Sequence, residues 1–338
     1  MTENYQPDLA ELLGYWGLEA LTWEKVKDVY KVQTDRGTKN LKVSPLKPER
    51  LTFVHSAIAH LLKNGFCKMY PYLPTLSGQT YISDKRFAYT LFDWIEGRQC
   101  DFRNQSELVE STVIFAEFHQ KSYGFEPPPA SNVRNQLGKC FNHFSERFQN
   151  LQQFKAIAST MDDDPFARLY LENADMYIRM AAEAVARLQK TVYSRLVAQA
   201  QISKPFCHGD PAARNFILTP EKRIFMIDFD SCRFDLPMMD LTKFLRRIMK
   251  KFHWDYQVAG LVMDAYQSVQ PLNQDELEVV KAVLYFPQKF WRMAIRYFHR
   301  HGRHAPEREW HKFQNYLQSR EAFSRFHHGF EDYQAVGD

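Results

Sequence analysis

The chain has 338 residues, 45% of them hydrophobic and 25% charged, with 44 basic against 40 acidic side chains and a formal charge of +4. That length exceeds one small core and suits two lobes or a large single domain. The near balance of charge makes no electrostatic case for nucleic acid as a partner. No run of about 18 uninterrupted apolar residues occurs, so no membrane partner is expected.

In chain order, the start MTENYQPDLAEL is acidic and lacks the apolar stretch of a signal peptide, so synthesis in the cytoplasm is expected. YQPDLAELLGYWGL predicts a short helix closing near Gly14 or Gly17. VYKVQTDRGTKNLKV alternates at Val29, Lys31 and Gln33, turns at Asp35-Arg36-Gly37 and resumes at Leu41 and Val43. It predicts a β-hairpin with Lys42 on its second strand. PERLTFVHSAIAHLLKNG predicts a helix opened by Pro48, closed by Gly65, and apolar at Leu51, Val54, Ile58, Leu61 and Leu62. GQTYISD and RFAYTLFDW predict two more strands. The first segment thus reads strand, strand, helix, strand, strand and ends near residue 97.

From about residue 105 the pattern is helical. SELVESTVIFAEFHQ, QLGKCFNHFSERFQNL and PFARLYLENADMYIRMAAEAVARL are separated by the proline-rich connection FEPPPAS and later segments. Short strands return only around 205 to 230, in FCH, NFIL and RIFMIDF, before helices resume. The expected architecture is α+β. A small β-rich lobe, residues 1–97, precedes a larger, mainly helical lobe, residues 98–338, that carries one β interruption. The five cysteines, Cys67, Cys100, Cys140, Cys207 and Cys232, are scattered and never form a CxxC pair. They read as reduced, mostly buried thiols rather than a zinc site.

The interruption holds the chemistry. CHGDPAARNF places Asp210 five residues before Asn215, and MIDFD places Asp228 in an apolar run. NFILTPEKRIFMIDFD reads as a hairpin turning at Thr219-Pro220-Glu221, which brings Asn215 near Asp228. Two oxygen ligands on neighbouring strand ends suit a hard divalent ion such as Mg²⁺. Asp210, on the preceding loop, is placed to accept a proton from an attacking hydroxyl. Phosphoryl transfer needs a positioned nucleophile, metal against the phosphate charge and a lysine on the phosphates. Lys42 can supply the last.

HGDPAARNF together with MIDFD resembles the Brenner-type motif of aminoglycoside phosphotransferase-like kinases, which share the bilobal protein-kinase fold. LLGYWGL, GTKNLKV, YTLFDWIEGR and YFPQKFWRMAIRYF resemble the CotS-type spore coat kinase-like proteins within that superfamily. The resemblance spans nearly the whole chain. It implies Asp210 as catalytic base, Asn215 and Asp228 as Mg²⁺ ligands, Lys42 as the phosphate-contacting lysine and ATP as the donor. It implies His208 as a scaffold of the catalytic loop. The segment FDWIEG matches the hinge between lobes, where the backbone of Phe92, Asp93, Trp94 and Ile95 would hold adenine. Asp240 either matches an acid these kinases carry after the metal aspartate or caps a helix. Glu49, the one acid between Lys42 and Asp84, is the candidate partner of Lys42, with an acid favoured by the dipole in the first turn of a helix as the other account.

Departures from the family pattern sharpen the expectation. WEKVKDVYKV, where a glycine-rich loop belongs, has no glycine. Ala212 stands where protein kinases usually carry lysine, Asp230 where the DFG glycine would be, and no APE-like segment follows. The acceptor is therefore expected to be a hydroxyl of a small molecule or glycan rather than a protein. The alternative is a kinase-fold coat component that serves assembly, with other coat proteins as partners. Arg214 reads either as a substrate or phosphate contact or as local packing. MDDDPF reads as an acidic helix start opened by Pro165, with a role towards a cationic substrate as the other account. Near the end, Arg292, Arg296 and Arg300 form a row at four-residue spacing, read as a solvated face or as a dock for an acidic partner. His299, His301 and His304 make a metal site conceivable, with burial of Phe290, Ile295 and Phe298 the simpler account.

Overall fold

The computed structural model describes residues 7–299 and 306–336. Their contacts divide into two compact units, one of residues up to Arg134 together with Phe206–Arg233, the other of Asn135–Pro205 and Phe234 onward. Compactness thus groups the 206–233 segment with the β-rich beginning of the chain. Among the described residues no helix is long and apolar enough to cross a membrane.

The first unit opens with α1 (Leu9–Gly14), capped by the Asp8 carboxylate on the backbone of Ala10 and Glu11. An antiparallel sheet follows in the order β1 (Ala20–Val26), β2 (Val29–Thr34), β3 (Gly37–Ser44), β6 (Ala88–Asp93), β4 (Tyr72–Leu73), with β5 (Ile82–Ser83) also on β6. The β2–β3 hairpin turns where Asp35-Arg36-Gly37 predicts it. Strand β1 is an addition to the expected elements. Its side chains are almost all exposed, so it shows none of the apolar alternation by which a half-buried strand announces itself. It joins β2 through only Lys27 and Asp28, with Lys27 at φ 56°.

Alternation in β3 sorts its side chains. Leu41 enters a core with Leu9, Leu13, Trp16, Tyr30, Val32, Tyr89 and Leu91, each such burial stabilising by roughly 1.5–3 kcal/mol. Lys42 therefore points to the other face, opposite Val29 on β2 and Thr90 on β6. Helix α2 (Pro48–Lys63) has Pro at its first position and ends at Gly65, whose φ of +84° lets Phe66 N–H reach the Leu61 carbonyl. Beyond β6, β7 (Arg98–Gln99) leads to α3 (Gln105–Lys121). After β8 (Phe206–Cys207), the hairpin of β9 (Phe216–Leu218) and β10 (Ile224–Met226) pairs with β7 in the order β10-β9-β7.

The second unit is helical: α4 (Cys140–Ala158), α5 (Pro165–Lys190), α6 (Tyr193–Ser203), α7 (Pro237–Lys251), α8 (Tyr256–Gln267), α9 (Gln274–Tyr285), α10 (Gln288–Phe298), α11 (Pro306–Leu317) and α12 (Arg320–Glu331). Stacked aromatics hold it together. Phe166 lies on Tyr297 at 3.8 Å between ring centroids and Tyr177 on Phe290 at 4.0 Å, contacts that add to area burial. Asp164 caps α5 ahead of Pro165 and accepts from the Tyr297 hydroxyl, so MDDDPF is a helix start. Arg296 pairs with Glu309 at 3.1 Å and Arg292 is exposed; Arg300, His301 and His304 lie outside the described residues. His299 packs edge-on against Phe154. All five cysteines are free thiols, with Cys67 exposed and the other four buried.

Candidate active site

The residues singled out on the 207–230 segment lie in one braced loop. Gly209 adopts φ +84°, and a Cβ there would sit 2.4 Å from the Ser231 carbonyl oxygen, so only glycine fits. His208 is 1% exposed. Its Nδ1 accepts from Asp210 N–H at 3.3 Å, which leaves Nε2–H to donate to the Ile227 carbonyl at 3.0 Å. One imidazole thus ties the Asp210 loop to the strand end before Asp228. A 3-10 turn over Ala213–Asn215 follows, and the Ile227 N–H donates to the Asn215 carbonyl at 2.9 Å. The hairpin brings Asn215 and Asp228 together at the backbone, as its spacing predicts.

Side-chain geometry separates the roles. Asn215 is 3% exposed, and its Nδ2 donates to the Asp210 carbonyl at 2.8 Å. That bond fixes the amide orientation and leaves Oδ1 without a protein donor among the described residues. Asp228 has left-handed backbone, φ 66° and ψ 67°, uncommon for a residue with a side chain and frequent at functional positions. Its Oδ1 receives Lys42 Nζ at 2.8 Å. The same ammonium reaches Asp230 Oδ1, also at 2.8 Å. Phe229, between the two aspartates, turns the other way and is buried against His208 and Phe118.

Electrostatics keeps Lys42 and Asp228 charged. Burial works against the Asp228 carboxylate, but Lys42, helped by His208 and Arg214, holds it below the usual carboxylate range. Burial likewise opposes the Lys42 ammonium, and Asp230 and Asp228 together push it above the ordinary lysine value. The free Asn215 amide oxygen and the Asp228 carboxylate, on segments joined by the Ile227–Asn215 backbone hydrogen bond, are hard donors that fit Mg²⁺ and not a soft metal. Asp210 accepts from Arg214 Nη2 at 2.5 Å. The Asp210 side chain is 18% exposed and that of Arg214 56%, so Arg214 covers Asp210 from the solvent side.

Glu49 is not brought to Lys42. It is exposed in the first turn of α2, where the positive helix end favours an acid without any further partner. Asp230 takes the place expected of it, and sequence reasoning missed this. Asp228 is left-handed and Phe229–Ser231 form a 3-10 turn, a local conformation that no alternation in the sequence announces. The α2 residue whose charge Lys42 influences is His55, 4% exposed, with Nδ1 2.8 Å from Thr80 Oγ1. Burial first, then Lys42, lowers its pKa to about 4, so the imidazole is neutral. Asp240 does not cap a helix either. The cap position of α7 is Leu236, and Asp240 lies buried inside the first turn.

At the other end of β6, Trp94 N–H donates to the Thr38 carbonyl at 3.1 Å. In a trans peptide the Asp93 carbonyl then points away from β3. The N–H of Ile95 has no partner among the described residues. Asp93 itself takes Lys39 Nζ at 2.6 Å, and Lys31 lies 5.0 Å over the Trp94 ring. Phe92 faces Asn40 across the ladder, on the same face as Lys42.

Residues 22–272, well over half of the chain, match the model of the phosphotransferase enzyme family. The chain belongs to that family. Spore coat protein S of Bacillus subtilis is 27% identical over 88% of this chain and 86% of its own length. Among solved structures, an aminoglycoside phosphotransferase from Alicyclobacillus acidocaldarius superposes with a TM-score of 0.85, at 22% identity and over 98% of both chains. A spectinomycin phosphotransferase in complex with ADP and spectinomycin gives 0.56 at 14% identity, covering 96% of this chain and 95% of the other. The expected α+β kinase-like fold of this phosphotransferase family, with its β-sheet beginning and mainly helical remainder, is the fold observed.

Proposed function

We propose that the protein is an ATP-dependent, Mg²⁺-requiring phosphotransferase that acts on a hydroxyl of a small molecule or glycan, in the setting of the spore coat. The observation that carries this is the ion-paired trio of Lys42, Asp228 and Asp230, with Asn215 joined to the strand end before Asp228 by a backbone hydrogen bond and tied to Asp210 by its amide. In this reading residues 1–97 supply the nucleotide side and residues 98–338 the catalytic loop and substrate region. The Asp93 carbonyl and the Ile95 N–H take the adenine edge. Asn215 Oδ1 and Asp228 hold Mg²⁺, which neutralises phosphate charge. Lys42 turns from Asp228 to the phosphates. Asp210 leaves Arg214 to orient the acceptor hydroxyl and receive its proton. The coat setting is supported by the similarity to spore coat protein S.

Purified protein titrated with ATP and Mg²⁺ should show a rise in melting temperature that neither gives alone, and slow phosphoryl transfer or hydrolysis by label release. Asp210→Asn should keep the nucleotide shift and lose turnover by about 10²–10⁴-fold. Undiminished turnover in that variant rules out the assigned base.

A second reading, a coat assembly protein on a kinase scaffold, is favoured by one observation: the two-residue, glycine-free β1–β2 turn offers few backbone N–H groups to phosphates. It expects no metal-dependent nucleotide binding and an unchanged coat when Asp228 is replaced.

A further inference from the structure

Helix α2 presents no acid to Lys42. Both ion partners of Lys42 come from the 228–230 loop, and a metal on Asp228 would leave Asp230 as the carboxylate that holds the ammonium. The question is then what holds Asp230. Its backbone carbonyl accepts from Arg50 Nη2 at 2.8 Å, and the same nitrogen donates to the Cys232 carbonyl. Arg50 is in the first turn of α2, 3% exposed, with its guanidinium 4.7 Å over the Phe53 ring. Its Nε and Nη1 are buried without partners. Among the described residues no carboxylate pairs with it. Burying a guanidinium on these terms is costly, and an apolar side chain over Phe53 would serve stability better. The one connection that the charge secures is to the loop carrying Asp228 and Asp230.

We propose that Arg50 is a positioning residue through which α2 orients Lys42 indirectly, by clamping the backbone at 230 and 232 so that the Asp230 carboxylate stays on Lys42 Nζ. The helix governs the lysine, but by way of the metal loop rather than through an acid of its own. This rests on the phosphotransferase reading above.

The test is calorimetric titration of the full chain with Mg²⁺ and a non-hydrolysable ATP analogue, with the melting temperature of each apo variant as a folding check. Wild type, Arg50→Met, Arg50→Lys, Asp230→Asn and the Arg50→Met/Asp230→Asn double variant are compared. Arg50→Met should bind about tenfold more weakly or worse, and Arg50→Lys should recover part of the loss because an ammonium still donates to a carbonyl. The double variant should be no weaker than the worse single one, because both changes cut one path. A merely structural Arg50 would give losses that add, with no rescue by lysine. Wild-type affinity in folded Arg50→Met, or additivity, overturns the inference. If Arg50→Met does not fold, the lysine variant decides: unaltered binding overturns the inference, and a partial loss that is not deepened by adding Asp230→Asn upholds it. A wild-type chain that binds no nucleotide overturns the phosphotransferase reading itself, a result distinct from any variant-specific outcome.

Discussion

Two turns of the first unit invite comparison: the Lys27-Asp28 connection between β1 and β2, and the 207–230 loop. Both contain non-glycine residues at positive φ, Lys27 in one, and Asp228 together with Lys222 in the other. Around Asp228 the strain is over-determined. His208, Asn215 and Lys42 all fix the loop by hydrogen bonds or ion pairs, and Phe229 anchors it in the core. Around Lys27 the flanking strand is exposed and nothing comparable holds the turn. Left-handed backbone is a sign of function only where neighbouring contacts enforce it.

The largest effect expected from breaking this contrast is at Asp228. Asp228→Asn removes the charge that faces Lys42 and, under the proposed function, would face the metal, so Mg²⁺-nucleotide affinity should fall by about 100-fold or more, roughly 2.7 kcal/mol, in a calorimetric titration. Next is Gly209→Ala, which forces a Cβ onto the Ser231 carbonyl. It should cost roughly 3 kcal/mol in denaturant unfolding, whereas Gly37→Ala, at a similar φ but with open space around its Cβ, should cost only about 1 kcal/mol.

The third effect is acid lability through His55. Its folded pKa, lowered to about 4, lies below the unfolded value near 6.5. The unfolded chain therefore takes up the proton first, and stability falls as pH drops from about 6.5 to about 4, by up to roughly 3 kcal/mol. Stability measured against pH should show this slope in wild type and a shallower one in His55→Gln. The smallest effect is at the unbraced turn. Lys27→Gly relieves the positive φ and should raise stability by about 0.5–1 kcal/mol; a decrease would show that the turn is held after all.

Most of the first unit was legible in the sequence because its elements obey local rules. Pro48 and Gly65 bracket α2, Asp35-Arg36-Gly37 turns the hairpin, and the spacing of Asn215 and Asp228 matches the β9–β10 register. Strand β1 was not legible, because an edge strand with both faces wet carries no alternation. The pairing of Lys42 was misread for a different reason. Sequence proximity pointed to Glu49, for which a plain first-turn acid was the other account, but the partner is about 190 residues away and is delivered by tertiary closure. Of the two accounts of Asp240, the cap fails because it takes the helix to begin at that aspartate, whereas Pro237 opens it three residues earlier.

Gly97 carries a consequence for how the two ends of the site move. Its φ is +151°, and a Cβ would fall 2.3 Å from the Leu218 carbonyl oxygen. At that contact the chain leaving Ile95 is laid directly against β9, whose first residue follows Asn215. In the proposed function, the segment that would take a base and the segment that would take a cation are thus stitched into one narrow ribbon. A bulky residue at 97 would wedge that ribbon apart, so recognition of the purine and of the ion should deteriorate in step rather than one at a time.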